Sequence, residues 1–130
     1  MKEPVLVMTG EAKDLRFGIT LRGRTQYLTG ASFYWLFCLA MHAVEHPGEG
    51  LAHAEIAPGD NSHRYMYRLR QAIGYAGRAD ELIPRGSQGT FRLNLRPEEI
   101  LFNHALCFHP DARIAQAMRQ HLDVPAAKAC

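Results

Sequence analysis

Cysteine is scarce in this chain. Cys38, Cys107 and Cys130 are odd in number, widely separated and outside any CxxC pattern, which argues against a disulfide framework and fits a reducing compartment. Long apolar runs are missing too. The longest hydrophobic region, Phe33 to Val44, closes on His46-Pro47-Gly48 and falls well short of the ~20 residues needed to cross a bilayer. It reads as a buried helix. The first residues, Met1-Lys2-Glu3-Pro4-Val5-Leu6-Val7-Met8, are charged and then only briefly apolar, without a signal-peptide core. A soluble, cytoplasmic protein with no membrane partner is expected. Enzyme signatures are lacking as well: there is no phosphate-binding glycine loop, no HExxH and no GxSxG. Glu98 and Glu99 are adjacent, so on a helix they point in different directions and make a poor acid–base pair. Neither catalysis nor a cofactor is expected.

What the chain does have is room for one domain. Its 130 residues are 47% hydrophobic, enough for a real core but too few for two full domains. The formal charge of the whole is only +2, yet it is unevenly spread. Between Asn61 and Arg96 seven arginines (64, 68, 70, 78, 85, 92 and 96) face two acids, Asp80 and Glu81, a local excess of +5. Such a concentration is the electrostatic footprint of a polyanion site, although arginine runs also occur as solvated faces.

Along the chain, Val5 to Met8, Leu15 to Leu21 and Thr25 to Leu28 carry strand signals, separated by Thr9-Gly10 and Arg22-Gly23. Thr29 or Ser32 can cap a helix in which Phe33, Leu36, Phe37, Ala40, Met41 and Val44 recur at helical spacing. Pro47-Gly48-Glu49-Gly50 breaks it. Leu51 to Ala57 suits a short second helix, and Pro58-Gly59-Asp60-Asn61 a turn that caps a third. After residue 95, Arg96-Pro97-Glu98-Glu99 has the marks of a helix start, with a run expected to about Cys107. Asp111 is placed to cap a last helix carrying Ile114, Ala117, Met118 and Leu122. The expected division is a domain over 1–95, a helical extension over 96–123 and a frayed tail over 124–130.

The third helix and the segment after it hold the candidate site. Over Asn61 to Ile73, Met66, Leu69 and Ile73 fall at i, i+3 and i+7 on one face, and Arg64, Arg68 and, nearer the flank, Arg70 project away from it. Leu82 to Leu93 has two β-type flanks around a tip whose glycines permit a tight turn, with Arg85 near the tip. These are the parts of a recognition helix and a wing. Asn61, Ser62, His63, Arg64, Tyr65, Tyr67 and Arg68 form the expected reading surface, with Arg70 a further, more ambiguous DNA contact at its flank. Arg64 and Arg68 are the candidates for base contacts in the major groove, and Ser62 or Tyr67 for a phosphate. Arg85 suits the minor groove, and Arg92, alternating with Phe91, the phosphate backbone.

The order strands, helix, helix, helix, hairpin resembles the winged-helix DNA-binding domain of OmpR-type response regulators. Leu28-Thr29-Gly30-Ala31-Ser32-Phe33 is similar to that family's Leu-Thr-x-x-Glu-Phe motif at the start of helix one, with Leu36 and Leu39 in its buried pattern. Arg68-Leu69-Arg70 is similar to the Arg-Leu-Arg close of its recognition helix. Arg85-Gly86, Gly89 and Phe91-Arg92-Leu93 look like its Arg-Gly-x-Gly-Tyr-Arg-Leu wing. The resemblance covers about residues 5 to 95. It departs at Ser32, in place of Glu, in one extra residue between the wing glycines, and in having no receiver domain. It implies an α+β fold: a winged helix-turn-helix with an N-terminal antiparallel sheet, a three-helix core and a C-terminal β-hairpin wing, here followed by two additional helices. The function implied is sequence-specific binding of double-stranded DNA in transcriptional regulation. The resemblance also implies RNA polymerase as a partner at the loop before the third helix, although that loop is short here. The alternative is a protein-interaction module on the same scaffold. The last helices, with Ile100, Leu101, Leu106, Ile114, Met118 and Leu122, can supply a homodimer contact or cover the domain's own core.

Two further groupings draw on metal-ligand chemistry. Cys38, His42 and His46 recur at i, i+4 and i+8, and His104, Cys107 and His109 lie close in sequence. Both lack a fourth ligand at compelling spacing, so a packed cysteine with surface histidines is the expected state and no metal is assigned.

Overall fold

The computed structural model describes residues 4–47, 51–52, 62–74, 78–84 and 90–121. The fold is α+β, with a mixed four-stranded sheet on one side of a long central helix and a second amphipathic helix on the other. The first three strands, β1 (Leu6–Lys13), β2 (Arg16–Leu21) and β3 (Arg24–Thr29), form an antiparallel meander. Both connections are two-residue turns whose central residues have positive φ, Asp14 and Leu15 at 50° and 65°, then Arg22 and Gly23 at 49° and 81°. That is the turn whose twist matches paired strands. β1 is irregular between Met8 and Ala12, where Gly10 (φ 70°) is hemmed in by Leu106, so a side chain there would be both strained and obstructed.

Helix α1 (Gly30–Glu45) starts where Thr29 Oγ1 accepts a hydrogen bond from Ser32 N at 3.3 Å, one of the two expected caps. Phe33, Trp35, Leu36, Phe37, Leu39, Ala40, Met41 and Ala43 are all buried, because the helix is covered on both sides. The sheet contributes Leu6, Met8, Ile19, Leu21 and Leu28, and α2 (Ser62–Ile73) contributes Met66, Leu69 and Ile73.

Two regions differ from the sequence expectation. Leu51–Ala52, expected to open a helix, is strand β4, antiparallel to β5 (Thr90–Phe91); residues 53–57 lie outside the described residues. The expected hairpin over 82–93 is correspondingly altered. Ala79–Leu82 is a single helical turn, α3, entered through Arg78 at φ 54°, and β5 pairs with β4 rather than with Leu82-Ile83. Pro84 explains part of this, having no N–H to give a ladder. The base of the excursion is nevertheless closed: Asn94 N donates to the Leu82 carbonyl at 2.7 Å, and Asn94 Nδ2 to Glu81 O at 3.2 Å.

The second correction concerns 97–107, expected as helix. It is a 3-10 turn (Pro97–Glu99), a strand β6 (Ile100–Phe102) and a second 3-10 turn (His104–Phe108). β6 runs parallel to β1 with Leu6 opposite Ile100 and Met8 opposite Phe102, giving the sheet order β3-β2-β1-β6. Ile100 faces inward and Leu101 outward, while Phe102 meets the edge of Phe37 with ring centroids 5.6 Å apart. Asn103 ends the strand by accepting from Ala105 N at 2.8 Å. The segment that was to extend beside the domain therefore completes its sheet. Of the two expected extra helices one is present, α4 (Ala112–His121), with Asp111 Oδ1 accepting from Arg113 N at 3.0 Å. Ile100, Leu106, Ile114 and Met118 are buried in the chain's own core, leaving Leu101 half exposed; Leu122 and the tail lie outside the described residues.

Candidate nucleic-acid interface

Helix α2 owes its stability to one face. Met66, Leu69 and Ile73 are at most 2% exposed, and fully burying such side chains is worth ~1.5–3 kcal/mol each. Tyr65, expected in the reading surface, instead turns inward. It is half buried, its ring lying nearly parallel to Trp35 at 5.8 Å, so it fixes the helix against α1. The helix ends at Gly74, in the left-handed conformation at φ 72°, whose N–H bonds the Arg70 carbonyl at 2.9 Å.

Arg70 also departs from the expected role. Its Nε donates to the Ile83 carbonyl at 3.1 Å, and its Nη2 donates to the same oxygen. The guanidinium thus ties α2 to the segment entering the 83–93 excursion, and it occupies an acceptor that would otherwise be left at the edge of the core.

The opposite face of α2 is open. Arg64, Tyr67, Arg68 and Gln71 are exposed, Tyr67 to 62%, and Arg64 and Arg68 have no ion-pair or hydrogen-bond partner among the described residues. Other arginines are engaged: Arg78 faces Glu81 at 3.7 Å, Arg96 faces Glu98 and Glu99 at 3.7 and 3.8 Å, and Arg119 donates to the Cys107 carbonyl. Being unpaired is not by itself the mark of a site, since Arg16 and Arg24 on the sheet are exposed too. What distinguishes Arg64 and Arg68 is their separation of one helical turn, which directs two full charges from one convex surface. Arg92 is also exposed, beside buried Leu93. It lines a half-open cleft of about 260 Å³ with Pro47, Leu95, Arg96 and Glu99.

Of the remaining expected contacts, Ser62 and His63 lie in the first turn of α2, while Asn61 and Arg85 fall outside the described residues. The charge count had passed over Gln71, although extending the helical period by one more turn from Arg64 and Arg68 would have found it.

A second polar cluster joins α1 to α4. The Arg113 guanidinium lies 3.7 Å above the Tyr34 ring and bonds both Asp111 oxygens, at 3.1 and 2.9 Å. Burial, then the hydrogen bond with Cys38, pushes the Tyr34 hydroxyl up to about 12, and burial likewise raises the Cys38 thiol. A thiol held neutral in this way is a poor nucleophile and a poor ligand. The His42 and His46 rings lie 4.9 Å apart, tilted by 36°, at the C-terminal end of α1. His109 closes a three-ring cluster with Phe17 and Phe33, stacked on Phe33 and tilted against Phe17, its Nδ1 accepting from Asp111 N at 2.9 Å. Among the described residues no three His, Cys, Asp or Glu side chains are arranged to hold a metal ion. No described helix is long and apolar enough to cross a membrane.

No protein-family model, curated protein or solved structure matches this chain. Its own residues are therefore the guide to its function.

Proposed function

We propose that the chain binds double-stranded DNA sequence-specifically, as a transcriptional regulator of winged-helix type, with α2 in the major groove and the 83–93 excursion against the flanking backbone. The observation that carries this reading is the open face of α2. Arg64 and Arg68 project from it one turn apart with no internal partner among the described residues, on a helix whose other face is locked into the core. An unneutralised pair on a rigid element suits the groove, where arginine makes paired hydrogen bonds to guanine O6 and N7 or neutralises phosphates. Two features support the wing-like part. The β4–β5 pair and the Leu82–Asn94 hydrogen bond close the base of the excursion, and Arg70 binds its first residues to α2.

A second reading is favoured by Tyr67. A tyrosine 62% exposed between two arginines has the composition of a protein-interaction hot spot, and folds host many functions. Titration of duplex DNA at two salt concentrations separates the two. Wild-type binding should weaken steeply with salt. The double variant Arg64→Ala, Arg68→Ala should keep its fold, bind at least about tenfold more weakly, and show a salt slope shallower by up to about two. Absence of DNA binding by wild type at low salt leaves the protein-partner reading in its place.

A further inference from the structure

The open face of α2 is longer than its arginines. At ~100° per residue, the buried Met66, Leu69 and Ile73 centre on a direction ~170° from Arg64, whereas Gln71 lies only ~20° from Arg64. Gln71 is thus almost diametrically opposite the buried seam and shares with Arg64 the line that reaches deepest into any groove the helix enters. It is exposed and without a hydrogen-bond partner among the described residues, and its neighbour Ala72, exposed but short, leaves clearance for close approach. α2 ends at Gly74, so nothing further along α2 competes for that place.

Glutamine carries one carbonyl acceptor and one amide donor side by side. That pair matches the N6 donor and N7 acceptor that adenine alone presents in the major groove. Arginine, all donor, matches guanine. We propose that Gln71 is a specificity-determining residue that reads an adenine, so that the preferred duplex combines guanine opposite Arg64 with adenine opposite Gln71. This rests on the reading of α2 as a major-groove helix. Seven residues of helix rise ~10.5 Å, and base pairs are stacked at ~3.4 Å, so the two bases are about three steps apart. The fold positions Gln71 for this, because Tyr65 against Trp35 and Arg70 on the Ile83 carbonyl fix the rotation of the helix about its own axis.

The test is selection from a random duplex pool with wild type, Gln71→Ala and Gln71→Arg. Alanine at an exposed helical position does not threaten folding. Wild type should enrich a motif with guanine and adenine about three positions apart. Gln71→Ala should lose roughly tenfold of the preference for adenine there while retaining the guanine, and Gln71→Arg should change that position to guanine. An identical motif from wild type and Gln71→Ala overturns the role of Gln71 and leaves the groove reading intact. A wild-type protein that enriches no sequence overturns both.

Discussion

His109 is 8% exposed against the rings of Phe17 and Phe33, at 4.3 and 5.3 Å, and those two rings also touch each other. Because its Nδ1 accepts the Asp111 N–H, the proton of the neutral ring sits on Nε2, which is buried without a partner among the described residues. Burial lowers its pKa below the ordinary 6.5, with Asp111 opposing in part. As pH falls through 6.5 the unfolded chain takes up a proton that the folded chain refuses, so stability is present above that pH and declines below it. The slope reaches at most ~1.4 kcal/mol per pH unit, until the folded pKa is passed. Asp111 itself is depressed by its hydrogen bond with Arg113, so its contribution is lost only below the usual carboxylate range, in a separate window. His109→Phe keeps the ring stack and removes the titrating group. Urea midpoints at pH 7.5 and 5.5 should therefore differ less for His109→Phe than for wild type; equal differences would place the acid sensitivity elsewhere.

At the scale of elements, the two β-turns give an internal comparison. Both place two residues at positive φ, but the second has glycine in its second position and the first has Leu15, which is also 94% exposed. A left-handed conformation costs a branched residue ~1–2 kcal/mol, and glycine returns part of that as chain entropy. Leu15→Gly should raise stability by ~0.5–1 kcal/mol and the melting temperature by a few degrees; a fall in thermal unfolding midpoint would show that Leu15 has a use that its exposure conceals. The β2–β3 hairpin, α1 and α2 were legible in the sequence because their signals are local: Arg22-Gly23, the Thr29 cap, and Met66, Leu69 and Ile73 at helical spacing. Thr9-Gly10, expected to end the first strand, is instead an irregularity within β1, whose turn falls at Asp14-Leu15. β6 was not. Pro97-Glu98-Glu99 carries helix-start chemistry, and Ile100-Leu101-Phe102 is too short and too uniformly apolar to show a period. It becomes a strand because β1, at the far end of the chain, offers it a ladder. The site divides in the same way. Arg64 and Arg68 follow from periodicity, whereas Arg70 and Tyr65 are withdrawn from the surface by partners, the Ile83 carbonyl and Trp35, that no local pattern announces.

For the whole molecule, the position of β6 decides what can be removed. A DNA-binding unit ending at residue 95, as the sequence resemblance suggests, would lose β6, both 3-10 turns and α4. With them go Ile100, Leu106, Cys107, Ile114 and Met118, all at most 8% exposed, and the Phe102 edge against Phe37. Each large apolar side chain contributes ~1.5–3 kcal/mol on burial, while a domain of this size has a net stability of ~5–15 kcal/mol. The deletion also uncovers the Leu6–Met8 edge of β1 and the His109 side of Phe17 and Phe33, so its cost exceeds the margin. Residues 1–95 should give no cooperative urea transition and should lose the fluorescence of the buried Trp35, whereas 1–121 should retain both. A cooperative transition in 1–95 with the Trp35 signal unchanged would mean that β6 and α4 cover a core that stands without them. The same shortened chain could then be tested for DNA binding through α2 alone.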